Sequence, residues 1–210
     1  MRKTLRTAVA TAVAAGTLAA TAGAAFAHDG RGSKQRKPAP APTATIAGLV
    51  AASGGDFDHN HRDYDMLLNA VKAAGLVDAL NDAGADLTVF APNDRAFVRL
   101  ARTLGYHGTD EAGAFDAIVG VLTKLGNGDP IPVLKQVLLY HVVSGTITAR
   151  DARGADSVTT LQGGSLGVEF PKLIDADPDL RDARVIRPFD LRATNGIVHT
   201  IDRVLLPLDV

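Results

Sequence analysis

Leu87-Thr88-Val89-Phe90-Ala91-Pro92-Asn93-Asp94-Arg95-Ala96-Phe97 reads as a strand that stops and becomes a helix within one residue. Thr88, Val89 and Phe90 suit a pleated, half-buried surface. Pro92 has no N–H for a ladder and its φ is set near the helical value, so strand pairing ends there. Asn93 is placed as the N-cap, its side-chain oxygen accepting from the first free amides, and Asp94 adds negative charge at the positive end of the helix dipole. Ala96, Phe97 and Leu100 then fall on one helical face. The stretch is a folding joint, and none of its side chains is an obvious reactive group.

On the N-terminal side of this joint the apolar spacing is helical. Ile46, Leu49 and Val50 predict a short helix ending at Ser53-Gly54-Gly55. Met66, Leu67, Ala70, Val71 and Ala74 predict an amphipathic helix stopped by Gly75, and Leu76, Val77 and Leu80 begin another turn before Asn81. On the C-terminal side Gly105 stops the central helix, and Thr109-Asp110-Glu111 opens one that runs through Phe115, Ile118, Val119 and Leu122. Ile131, Leu134, Val137, Leu138 and His141 continue at helical spacing until Val142-Val143 and Gly145 force an exit into a strand. The period then changes. Val158 to Leu161, Leu166 to Phe170, Arg184 to Ile186, Leu191 to Thr194 and Gly196 to Ile201 are short β-prone runs between glycine, proline and aspartate clusters. Helices gathered early and strands gathered late predict an α+β fold rather than alternating βαβ units.

Three of these segments carry a family likeness. Thr88 to Phe97 resembles the first signature of fasciclin-type domains, Asn195 to Pro207 resembles the second, and Leu138-Leu139-Tyr140-His141-Val142-Val143 resembles the tyrosine-histidine segment between them. The resemblance implies a wedge-like β-sandwich with helices packed around it. It also implies a non-enzymatic module for cell adhesion or matrix interaction, with an extracellular protein or polysaccharide as partner and no cofactor. By the same resemblance Tyr140 and His141 are expected to contact the partner, as the equivalent segment does in animal relatives that bind integrins.

The chain has 210 residues, no cysteine and a formal net charge of −1. Residues 1–27 read as a signal peptide: Arg2, Lys3 and Arg6 precede an alanine-rich apolar run, and Ala25-Phe26-Ala27 has the small-x-small pattern of a cleavage site. Residues 28–44 form a basic, proline- and alanine-rich linker, and residues 45–210 a single domain. The expected product is secreted, has no disulfides and no transmembrane anchor, and leaves self-association open. Seven Lys or Arg and one acid, Asp29, precede Thr43, leaving 15 basic and 22 acidic residues beyond it. That acidic balance argues against a nucleic-acid groove.

Several motifs have two readings. Gly163-Gly164-Ser165-Leu166-Gly167 fits the pattern of a hydrolase nucleophile elbow, but an elbow needs a helix after the serine. Here Leu166, Val168 and Phe170 alternate as a strand, so a hairpin is expected and Ser165 is not read as catalytic. A lipid or small-molecule carrier is the other alternative and demands an enclosed apolar cavity. Asp56 to Asp65 places oxygen ligands at alternate positions with His59 and His61, yet it lacks the glycine and glutamate of a calcium hand and enough nitrogen or sulfur for zinc. It is read as a solvated loop, metal-free, whose Asp63 or Asp65 caps the following helix, and which serves as a contact surface. His199 shares a strand face with Ile197 and Ile201, and His141 lies on the apolar face of its helix, so both are expected to be hydrogen-bonded core residues. Asn195-Gly196 is read as a two-residue turn with positive φ, and Arg203 and Asp202 as a surface pair.

Overall fold

A computed structural model describes residues 41–207; the segment read as a signal peptide and most of the segment read as a linker lie outside the described residues. The helical half runs α1 (Ile46–Ser53), α2 (Asp65–Ala73), α3 (Val77–Asn81), β1 (Leu87–Pro92), α4 (Asp94–Thr103), α5 (Glu111–Leu125) and α6 (Ile131–Tyr140). The rest contains β2 (Val142–Ser144), α7 (Ala149–Ala152), β3 (Ser157–Thr159), β4 (Ser165–Glu169), β5 (Lys172–Ile174), β6 (Ala183–Arg184), β7 (Leu191–Ala193) and β8 (Gly196–Ile201). Two four-stranded sheets form, ordered β2-β1-β8-β7 and β3-β4-β5-β6. The first is mixed, because β1 and β8 run parallel, and the second is antiparallel. Isolated bridges Val143–Thr160 and Val185–Ile201 tie one sheet to the other. The α+β sandwich with helices packed on one side is therefore present.

β1 is buried along its whole length, and the alternation of its side chains sorts them between two cores. Leu87, Val89 and Ala91 join Val198 against the helices. Phe90 faces the other way and packs with Ile201, Leu166, Val168 and Leu173 between the sheets. Such a doubly covered strand has to be apolar throughout, which is how the sequence reads. Asn93 caps α4 as expected, accepting from the Ala96 N–H at 3.1 Å.

The β7–β8 hairpin differs from its expected form. Ala193 pairs with Gly196, so the two-residue loop is Thr194-Asn195, and neither of these has positive φ. Asn195 is selected by its side chain. Its Oδ1 accepts from the Ile46 N–H at 2.9 Å, and its Nδ2 donates to the carbonyls of Leu80 at 2.9 Å and Asp82 at 3.0 Å. One buried amide thus caps the start of α1 and the end of α3 together. Gly196 is required for a different reason: its φ is +147°, and a Cβ there would lie 1.9 Å from the Leu87 carbonyl oxygen of the parallel partner strand.

The cap of α2 also comes from an unexpected place. Neither Asp63 nor Asp65 provides it. Asp94, wholly buried at the start of α4, accepts from the Asp65 N–H at 3.1 Å and the Met66 N–H at 2.8 Å. Its role is therefore between helices rather than only along its own dipole. Burial, followed by the hydrogen bond it shares with Asp63, pushes its pKa up to about 8.

Loss of the Asn195 amide would strand a buried N–H, the buried Leu80 carbonyl and the part-buried Asp82 carbonyl. Asn195→Ala is expected to lower the unfolding free energy by about 3 kcal/mol, at about 1–3 kcal/mol per unsatisfied group, as read from urea denaturation. Asp94 makes stability fall as pH rises. The folded state holds this proton to about pH 8 while an unfolded carboxyl releases it near 3.8, so the contribution is complete at low pH and disappears towards pH 8. His141, held down at about 4 by burial, acts in the opposite sense but only below about pH 6.5. The melting temperature should therefore drop between pH 6.5 and 8, and Asp94→Asn should flatten that segment of the profile.

Candidate binding surface

Tyr140 and His141, expected to contact a partner, are 1% and 2% exposed. The Tyr140 hydroxyl donates to the Ser165 carbonyl at 2.8 Å, which pins the end of α6 to β4. His141 Nδ1 donates to the Val137 carbonyl at 2.8 Å, and its Nε2 accepts from the Leu205 N–H at 2.9 Å. That pattern requires the neutral ring. The two side chains therefore join helix, second sheet and C-terminal segment, and neither reaches the surface. His199 is likewise a core residue. Its Nε2 donates to the Ile147 carbonyl at 2.8 Å, its Nδ1 accepts from the Asp190 N–H at 3.3 Å, and its ring stacks on Phe90 with centroids 5.7 Å apart.

Ser165 lies on β4 opposite Thr159; the hairpin turns through Leu161-Gln162, and Gly163-Gly164 lead from the turn into β4. The strand–turn–helix geometry of an elbow is not present at this serine. An apolar crevice does sit at the helix–sheet seam, between Ile46, Val50, Leu67, Val71 and Leu138, but it holds only about 50 Å³. Ligand sites for drug-sized molecules run from about 300 to 1,000 Å³.

The segment before α2 is anchored rather than freely solvated. Glu111, buried at the first turn of α5, accepts from the Asp58 N–H at 3.0 Å and from His61 Nδ1 at 2.9 Å. Phe57 packs on Phe115 at 5.5 Å, and the carbonyls of His61 and Asp63 accept from the Arg95 and Asp94 amides at 3.0 and 3.1 Å. Asp63, Asp65 and Asp94 bring carboxylate oxygens within 4.8 Å of one another, as do Asp58, Asp63 and Glu111; these are the groups with the spacing to hold a cation. Asp65, Asp94 and Glu111 already accept backbone N–H groups, and the proton kept on Asp94 relieves the repulsion.

This anchored loop forms one wall of an open groove of about 760 Å³, lined by Arg62, Asn93, Arg95, Arg99, Arg187 and Phe189 among others. Arg95, Arg99 and Arg102 recur at helical spacing on the outer face of α4, opposite buried Ala96, Phe97, Leu100 and Ala101. That spacing is visible in the sequence and was the one available signal; Arg62 and Arg187 come from distant segments. The walls are tied together: Tyr64 Oη bonds Thr200 Oγ1 at 2.6 Å, and Thr200 Oγ1 donates to the Pro188 carbonyl at 2.5 Å. Asp202 pairs with Arg99 at 3.2 Å rather than with Arg203, and also accepts from the Arg184 N–H at 2.8 Å.

Comparisons with known proteins agree with this architecture. The family model described as "Fasciclin domain" matches residues 62–207. Two proteins of Synechocystis sp. are similar: the uncharacterized protein sll1735, 34% identical over 68% of this chain and 89% of its own length, and protein sll1483, 35% identical over 69% and 67%. Transforming growth factor-beta-induced protein ig-h3 of Sus scrofa is 29% identical over 69% of this chain, which spans 18% of that protein's length. The structure of a domain pair from the insect cell adhesion molecule Fasciclin I superposes with a TM-score of 0.52 at 21% identity, over 79% of this chain and 51% of the other. With the family model covering most of the described residues and two relatives above 30% identity, the chain belongs to the fasciclin family.

Proposed function

We propose that the protein is an exported, non-enzymatic binding module of the adhesion or matrix type, recognising its partner through its outer face. What carries this reading is where the polar chemistry sits. Tyr140, His141, His199, Glu111 and Asn195 all spend their polar atoms on hydrogen bonds inside the fold. The enclosed apolar space at the helix–sheet seam is too small for a lipid or cofactor-sized ligand. The loop before α2 and the outer face of α4 offer polar groups to solvent beside an open groove. Fasciclin I, whose domains share this fold, is an insect cell adhesion molecule, which supports the same class here. Among the described residues no helix is long and apolar enough to cross a membrane.

In this reading Tyr140 and His141 act on the partner only by holding the fold together. Export is tested by the N-terminus of the protein recovered from the medium: His28 as the first residue is expected, and an intact Met1 in the cell pellet would overturn it. For binding, labelled mature protein should be retained saturably on isolated cell envelopes or extracellular material. Tyr140→Phe should lower stability by about 1 kcal/mol, the usual net value of one hydrogen bond, while leaving that retention unchanged at 20 °C. Lost retention with an unchanged melting curve would instead make Tyr140 a contact residue.

A further inference from the structure

The groove along α4 presents arginine in a way that a merely solvated helix face does not require. Arg62 from the loop, Arg95 and Arg99 from α4, and Arg187 from the segment before β7 converge on one concavity. A second open depression of about 510 Å³ shares Arg62, Arg95 and Arg99 and adds Arg102, His59 and His61. The only carboxylate lining either is Asp202, already engaged by Arg99 and by the Arg184 N–H. This happens in a chain with more acids than bases from Thr43 on, and although Asp58 and Asp63 belong to the neighbouring loop they line neither depression. Among the described residues Arg62, Arg95 and Arg187 make no ion pair, and Arg187 lies over the Phe189 ring at 5.3 Å. Like charges gathered within about 8–10 Å repel at physiological salt, and an anion bound among them removes that repulsion.

Resting on the reading above, and naming the partner class for it, we infer that this double groove binds an anionic polysaccharide carrying sulfate or carboxylate groups. Guanidinium forks match both groups bidentately, which a lysine surface would not do. Two contiguous depressions with charge spread along them suit a linear chain better than one small anion. The Pro188 and Phe189 side adds an apolar wall on which a sugar ring face can lie. A lipid bilayer is disfavoured because the charge lies in a concavity and the large exposed apolar residues, Leu125, Ile131 and Leu161, line neither depression. The walls are held in place before binding by the Tyr64–Thr200–Pro188 hydrogen bonds, so little ordering cost is added.

The test measures binding of the purified mature protein to dextran sulfate, polygalacturonate, unsubstituted dextran and phosphatidylglycerol vesicles, at 50 and 200 mM NaCl. Dextran sulfate or polygalacturonate should bind, the one preferred telling sulfate from carboxylate, with affinity falling about tenfold or more between the two salts. Neutral dextran should not bind. The triple variant Arg62→Glu, Arg95→Glu, Arg102→Glu should lose at least about tenfold, while Lys72→Glu, Lys124→Glu, Lys135→Glu, which changes net charge equally elsewhere, should stay within about twofold. Should the first variant melt early, Arg62→Ala, Arg95→Ala, Arg102→Ala replaces it. Equal losses in the two variants, unchanged binding in the groove variant, or binding to vesicles alone would overturn the proposal. Envelope retention unaffected by the groove variant would leave the adhesion reading standing without this groove; polymer binding without any envelope retention would do the reverse.

Discussion

The parallel pairing of β1 with β8 is the constraint on which the rest depends. It runs from Leu87–Gly196 to Pro92–Ile201, and it joins two segments more than a hundred residues apart. Because β1 is covered on both faces, this one pairing aligns the helical core with the inter-sheet core. The approach at Leu87 leaves no room for a side chain at Gly196, so the register is set by a residue's absence of bulk as much as by any attraction.

Around that pairing, buried polar side chains do the work of joining elements that have few backbone bonds to each other. Asn195 closes α1 and α3, Asp94 closes α2, Glu111 fastens the loop before α2, and Tyr140 and His141 fasten the second sheet and the C-terminal segment. Each satisfies a group that would otherwise be a costly orphan in the interior. The chain has no cysteine, so these contacts and the core take the place of covalent staples. It follows that a polar residue standing out in a signature segment need not mark a functional contact. Tyr140 and His141 illustrate this: their polarity is used on the Ser165 and Val137 carbonyls and the Leu205 N–H.

In the proposed reading, recognition is left to the outside of the fold. The arginine-lined groove uses the same architecture that makes the interior rigid. Arg95 and Arg99 stand on the helix that Asn93 caps, Arg62 follows His61, whose ring is held by Glu111, and Arg187 precedes Pro188, whose carbonyl is held by Thr200. A loop so anchored presents its charges from a fixed scaffold, which is what recognition of a repeating anionic chain needs.

The order of helices before strands, the break at Pro92, the Asn93 cap and the β3–β4 hairpin were all legible in the sequence, because each rests on residues adjacent in the chain or repeated at a local period. Short elements escaped: α7, with its Thr148–Asp151 capping box, and β5, of three residues, show too few periods to be recognised. The Thr194-Asn195 loop was misplaced by one residue because an Asn-Gly pair signals a turn whether or not the asparagine is wanted for its side chain. The sequence by itself thus determined the local joints and the family to which they belong. The burial of His141 and His199 was also legible, from the apolar faces they share, whereas which residues close the helices and which arginines meet were decided by tertiary structure alone. The reason is physical: Asp94 and Met66, Asn195 and Ile46, Arg62 and Arg187 are distant in the chain, and only the packing of the strands between them brings their atoms into contact or into one groove.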